Sequence, residues 1–185
     1  MTRRQRRASR FARRLQQQIV GIPQPVVARI HGIATAAGCQ LVSMCDLAVA
    51  ADVAKFAVSG INVGLFCSTP AVGLARNLGR KAALEMLLTG EFIDAMEAKA
   101  KGLVNRVVPL DALDAEIERL AGSILAKSAV AVKMGKGMFY KQLDMSLADA
   151  YDYAAEVMAC NMMSEDAGEG IDAFMQKRKP VYSGR

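Results

Sequence analysis

The stretch Ala34 to Gln40 reads Ala-Thr-Ala-Ala-Gly-Cys-Gln, and it is the part of the chain best suited to chemistry. Ala36, Ala37 and Gly38 are small enough for a ligand to approach the backbone, and the apolar run Ala37 to Cys45 behind them has the character of a buried helix. At a helix start the first N–H groups lack intrahelical partners and lie at the positive end of the dipole, so they can hold a developing oxyanion. The same small residues would equally serve close packing of a helix on a strand, and composition alone leaves both readings open. Gln40 stands where such a turn would aim a catalytic group, yet a neutral amide can position water without moving a proton. The stretch matches neither phosphate-loop pattern, since it lacks GxxxxGK[ST] and "GIATAAG" is not GxGxxG.

A second group of reactive side chains follows in Cys67-Ser68-Thr69-Pro70-Ala71. These residues can hydrogen-bond an acyl group, or serve as a nucleophile if a base stands beside them, and no base is evident nearby. The four cysteines, Cys39, Cys45, Cys67 and Cys160, form no CxxC pair, and His31 is the single histidine, so a zinc site is not expected. They read as reduced thiols, most of them packed as small hydrophobes.

The elements that must position these groups can be drawn from hydropathy and breakers. Val26 to Ile30 is a β-branched run between Pro25 and Gly32 and reads as a strand closed by a tight turn. Asp46 to Ala51 is continuously apolar after its first residue, as in a sheet covered on both faces, and "KFAVSG" (Lys55 to Gly60) is a third extended stretch. From Ala71 the chain turns helical. Arg80 to Leu88 stops at Gly90, Asp94 with Glu97 marks a capping box for a helix to Lys101, and Gly102 to Pro109 is a short strand. Leu113, Ile117, Leu120, Ala121, Ile124 and Leu125 make one apolar stripe on a helix over 111–126. Helices over 130–143, 147–163 and 167–177 complete the chain, with Met158, Met162 and Met163 expected in a core or a subunit interface. Strands and helices alternating this way predict an α/β fold with a C-terminal helical subdomain.

Charge is distributed unevenly. Met1 to Cys45 holds eight arginines and no acid, leaving 16 basic against 18 acidic side chains from Asp46 onward, so the net charge of +6 belongs to the N-terminal end. "MTRRQRRASRFARR" is open to three readings: a solvated extension, a transit-peptide-like segment, or a polyanion-binding tail. Without aromatic interleaving beyond Phe11, nucleic acid is not an expected partner. No apolar run approaches the roughly 20 residues needed to span a bilayer, so no membrane span is expected.

Three segments, "PQPVVARIHGIATAAGCQLVSMCDLAVAA", "EMLLTGEFIDAMEAKAKGLVNRVVP" and "EGIDAFMQKRKP", resemble in order and spacing the signatures of the enoyl-CoA hydratase/isomerase, or crotonase, superfamily. The resemblance implies a crotonase-like spiral of ββα units with a helical C-terminal region that assembles into homotrimers or hexamers. It divides the chain into an Arg-rich extension (1–22), an α/β core (23–110) and a trimerisation and CoA-contact region (111–185). It implies acyl-CoA thioesters as substrate or ligand with no other cofactor, and a cytoplasmic location, or the mitochondrial matrix if the source is eukaryotic. Family members carry a long segment before the proline-flanked strand, with the first β-units and a second oxyanion donor. Only Met1 to Ile22 stand there, so an incomplete spiral is expected.

By the same matching, Ala37 takes the position of one oxyanion N–H donor. Ala36, Gly38, Ser59, Cys67 and Ser68 fall at acyl-pocket positions. The two glutamates that serve the family's hydratases as acid and base fall on Gln40 and Gly60, so paired-carboxylate hydration is not expected unless both are restored. Phe174 and Lys177 match residues that pack on the adenine and pair with a CoA phosphate, although a solvated basic helix end accounts for the same residues. An altered acyl-CoA enzyme and a non-catalytic acyl-CoA-binding or assembly protein are the two functions these positions leave open.

Overall fold

The computed structural model describes residues 14–185, so the Arg-rich segment 1–13 lies outside it. Residues 14–21 are helical (α1). Two compact units follow from the contacts, one holding Val26–Glu118 with residues up to Val20, the other holding Arg119–Arg185 with Gly21–Pro25.

The first unit is built from six short strands in two sheets. β1 (Val27–Ile30) leads through Gly32 to β2 (Ile33–Thr35) and then α2 (Ala37–Met44). β3 (Leu47–Ala51) and β4 (Lys55–Ala57) repeat the step, followed by a 3-10 turn at Ser59–Val63 and the helices α3 (Ser68–Asn77) and α4 (Arg80–Thr89). β5 (Ile93–Asp94), α5 (Ala95–Ala100) and β6 (Arg106–Val108) close the unit. One sheet has the order β1-β3-β6, all parallel, and the other the order β2-β4-β5, with β2 and β4 parallel. Val27 pairs with Leu47 and Ile33 with Lys55, so each strand meets its counterpart about one ββα unit later in both sheets. β5 pairs antiparallel with β4 and departs from that rhythm.

Side chains complete the ladders. Asp46 Oδ2 accepts the Val26 N–H at 2.6 Å, which pins the start of β1. Asn105 extends the β3–β6 ladder with both its main chain and its side chain, its N–H donating to Ala48 O at 2.9 Å and its Oδ1 accepting the Ala48 N–H at 2.7 Å. Phe56, Leu74, Met86, Val49 and Val58 are fully buried, and the alanines of β3 leave room for cover on both faces. A Cβ on Gly73 would collide with Ser43 Oγ, so glycine there lets α3 lie close on α2. Asn77 Nδ2 fixes that contact by donating to Ser43 O at 2.6 Å and Gly73 O at 2.9 Å.

The second unit contains the end of α6 (Leu113–Leu125), then α7 (Ala129–Gln142), α8 (Leu147–Met162) and α9 (Glu165–Met175). Ser128, Ser146 and Ser164 each cap the helix that follows by accepting the N–H three residues on. After α9 the chain turns back and residues 178–185 run along it as a strap. Arg178 holds Glu169 through both of its terminal nitrogens, and Glu169 Oε1 accepts the Val181 N–H at 2.7 Å. The buried Asp166 carboxylate accepts from Ser128 Oγ at 2.6 Å, Ser183 N at 2.7 Å and Gly184 N at 3.1 Å.

Several expectations need correction. β2 went unread because its three residues follow the glycine expected to end the strand. Lys55 to Gly60 is extended only to Ala57, α3 begins at Ser68 rather than Ala71, and β6 spans three residues. α9 starts at Glu165, two residues early, because Ser164 supplies the cap. Met158, Met162 and Met163 are 64, 63 and 87% exposed, which removes them from this chain's own core.

The strap generates a pH prediction. Arg178 first, and the Val181 N–H second, push the Glu169 carboxyl down from 4.5 to about 2, and the Ser128 hydroxyl with the Ser183 and Gly184 N–H groups lowers that of Asp166. Groups with depressed folded values stabilise fully above their unfolded values and lose that contribution as pH falls. Protection factors for amide exchange at Val181, Ser183 and Gly184, each rate taken relative to the unstructured rate at the same pH, should therefore be high and flat above pH 4.5 and fall as pH drops toward about 2.

Candidate functional site

β2 hands the chain to α2 through a single strained residue. Ala36 has φ 47° and ψ −110°, outside the conformations alanine prefers. Its N–H donates to Ala57 O, the last carbonyl of β4, at 3.0 Å, and its own carbonyl accepts the Gln40 N–H at 3.0 Å. The turn is thus held from both sides, which is how a conformation costing about 1–3 kcal/mol persists. Ala37 and Gly38, the first residues of α2, are exposed, and no acidic side chain stands in the helix's first turn. The first N–H groups of a helix have no intrahelical partner and lie at the positive end of its dipole, an arrangement able to receive an anionic or polarised oxygen.

β2 and the segment after β4 meet at this turn. Thr35 Oγ1 and Ser59 Oγ lie 3.0 Å apart in a hydroxyl pair. Gln40 is only 6% exposed, and its side-chain amide forms no hydrogen bond among the described residues. Gly60 begins a loop that folds back on itself, with the Leu65 N–H donating to Gly60 O at 3.0 Å. A Cβ at Gly60 would lie 2.6 Å from both Cys67 Sγ and Leu65 O, so the space a side chain would use is filled. Cys67, in turn, is buried and points its thiol at Val58 O, 3.6 Å away.

Nucleophilic chemistry finds no support here. Burial first, and the neighbouring Cys67 second, push the Cys39 thiol up to about 12, far from a reactive thiolate. Ser68 is exposed at the start of α3, and its hydroxyl donates to Phe66 O at 3.4 Å rather than to a base. Only Cys39 and Cys67 behave as buried hydrophobes; Cys45 is half-buried and Cys160 exposed, which corrects the expectation for most of the cysteines. Among the described residues no cluster of His, Cys, Asp or Glu could hold a metal ion, and no helix is long and apolar enough to cross a membrane.

The structure therefore brings Ala36, Ala37, Gly38, Gln40, Ser59, Gly60, Cys67 and Ser68 into the first unit, most of them around the β2–α2 turn and the loop after β4. Phe174 and Lys177 belong to the second. Phe174, next to last in α9, is 81% exposed and helps wall a cavity of about 340 Å³ with Asn161, Ile171 and Tyr182. Lys177 is exposed at φ 55°. Sequence reasoning missed Thr35, Asp166 and Asn161, whose Oδ1 is buried without a partner. Only Asp166 gave a signal, as an acid in the first turn of a Ser-capped helix.

The turn predicts its own test of crowding. Gly60→Ala should destabilise the protein by about 1–3 kcal/mol in urea unfolding, because the added methyl meets a backbone carbonyl that cannot swing aside. Cys67→Ala in the same background should recover only part of the loss, since Leu65 O remains.

The family profile described as enoyl-CoA hydratase/isomerase matches residues 1–185. Mouse enoyl-CoA hydratase domain-containing protein 3, mitochondrial, is 54% identical over 161 residues, covering 87% of this chain and 54% of that protein. A probable enoyl-CoA hydratase of Mycobacterium tuberculosis is 36% identical over 172 residues, covering 91% and 66%. This chain thus spans about half the length of the first of these relatives. Among solved structures, an enoyl-CoA hydratase of Mycobacterium smegmatis superposes with a TM-score of 0.95 at 56% identity, over 98% of this chain and 71% of that one. Human enoyl-CoA hydratase domain-containing protein 3 gives 0.92 at 48% identity, over 98% and 74%. These superpositions bear out the expected crotonase-like α/β spiral with its C-terminal helices.

Proposed function

Because the chain belongs to the enoyl-CoA hydratase/isomerase family, we propose that its β2–α2 turn receives the carbonyl oxygen of an acyl-CoA thioester on the N–H of Ala37. The observation that carries this reading is the strained, doubly held Ala36, which leaves the first N–H groups of α2 open at an exposed helix end. Charge developing on a thioester oxygen as it becomes enolate-like is what such preorganised donors stabilise.

Proton transfer by paired carboxylates is not part of the proposal. Gln40 offers an amide that can hold a water or an acyl group, and Gly60 offers no side chain. The loop geometry supports this reading at position 60, because a carboxylate there would need the backbone at Leu65 to move. The reading is thus an acyl-CoA protein of altered or absent hydratase activity, with Ala36, Gly38, Ser59, Cys67 and Ser68 near the acyl group and Phe174 and Lys177 at the nucleotide end. The non-catalytic form of the reading is favoured by one observation: among the described residues no acidic side chain stands in the first turn of α2, and the Cys39 thiol behind it is buried and inert.

Assembly of several copies fits the surface of α8. Leu147, Tyr151, Met158 and Met162 are 77, 71, 64 and 63% exposed at spacings that place them along one side of the helix. A homotrimer or hexamer would cover them. The relatives' printed designation supports the mitochondrial matrix in a eukaryotic source, and the cytoplasm is the corresponding compartment in a bacterium.

Crotonyl-CoA separates the two forms of the reading. Purified protein should bind it in calorimetry and leave its conjugated absorbance unchanged over hours. Steady loss of absorbance would reinstate hydration, and no binding at all would sink the acyl-CoA reading. Gln40→Glu alone should not create turnover, since the second carboxylate has no place to stand.

A further inference from the structure

α9 ends in a Schellman motif. The Arg178 N–H donates to Ala173 O at 3.0 Å and the Lys177 N–H to Phe174 O at 3.2 Å, which places Lys177 at the position just past the helix end. Glycine is the usual residue there, because the backbone must enter the left-handed region, and Lys177 does so at φ 55°. A non-glycine residue in that conformation persists only where its surroundings over-determine it.

The surroundings are the strap. Immediately after Lys177, Arg178 is clamped on Glu169 through two nitrogens at 2.6 and 2.8 Å. Val181 is held by the same carboxylate, and Ser183 and Gly184 by Asp166, which is 2% exposed and also takes the Ser128 hydroxyl. Asp166 N–H closes the strap by donating to Arg185 O at 3.0 Å. Two acids one turn apart on α9 therefore hold Arg178, Val181, Ser183 and Gly184 beyond the turn, and the Lys177 side chain itself is left exposed with no ion pair among the described residues.

We propose that Asp166 and Glu169 are positioning residues: by clamping 178–185 onto α9 they hold Lys177 in its left-handed turn and present its ammonium, beside the exposed Phe174 ring, to a phosphate of CoA. The inference rests on the acyl-CoA reading above and deepens it. A flexible lysine after a frayed helix end would have to give up more rotational freedom on meeting the phosphate, whereas the clamped turn has already restricted its backbone.

The test compares binding of crotonyl-CoA with binding of crotonyl-pantetheine, which carries the same acyl group and no phosphate. Lys177→Ala should cut the preference for the CoA form by about tenfold, the cost of one charge-assisted contact. Glu169→Gln, Asp166→Asn and deletion of Val181–Arg185 should each cut it at least threefold while leaving pantetheine binding unchanged. Glu169→Gln added to Lys177→Ala should cost nothing further, because both remove one interaction. Lys177→Gly should raise the melting temperature yet lose the preference. The deletion and the two point variants disturb folding in different ways, so the comparison survives the failure of one. A preference untouched by all three strap changes, with Lys177→Ala still reducing it, overturns the positioning role and leaves the acyl-CoA reading standing. A preference untouched by Lys177→Ala overturns the nucleotide-end assignment and the inference together.

Discussion

The hydrogen bond from the Ala36 N–H to Ala57 O is the contact on which the first unit's possible chemistry depends. It joins the end of one ββα unit to the end of the next, so the register of β2 on β4 and the starting point of α2 are fixed together. Moving the register by one residue would turn Phe56 out of the core and shift the helix start away from the two small residues that leave its N–H groups accessible. The strain at Ala36 is sustained because the pairing of β2 with β4 on one side and the first turn of α2 on the other hold the turn in place.

Much of this was legible in the sequence, for identifiable reasons. The alanine run of β3 and the stop at Gly90, whose φ is 65°, follow from burial on both faces and from the left-handed conformation a helix end requires. Asp94 accepts the Glu97 N–H at 2.8 Å, as its spacing suggested. β2 was not legible, because a three-residue strand held in place by a partner 22 positions on carries no periodicity of its own. The closing of the space at Gly60 was equally hidden: a glycine in sequence reads as open space, and only the return of the loop puts Leu65 O and Cys67 Sγ into it. The strap escaped for the same reason, since "KRKPVYSGR" looks like a solvated tail until Asp166 and Glu169 are seen to accept its N–H groups.

The two units carry different chemistry. Backbone donors, small residues and an unpaired amide gather in the first. An exposed aromatic ring and an exposed cation, Phe174 and Lys177, stand in the second.

The thiol of Cys67 resting where a side chain at position 60 would project has a consequence for any substitution there. A carboxylate cannot be placed at 60 by one substitution, since its Cβ collides with both the sulfur and the Leu65 carbonyl. Shrinking residue 67 first would open a void. The loop thus behaves as a lock: putting a side chain at 60 takes coupled changes, and each of them made alone gives a less stable chain.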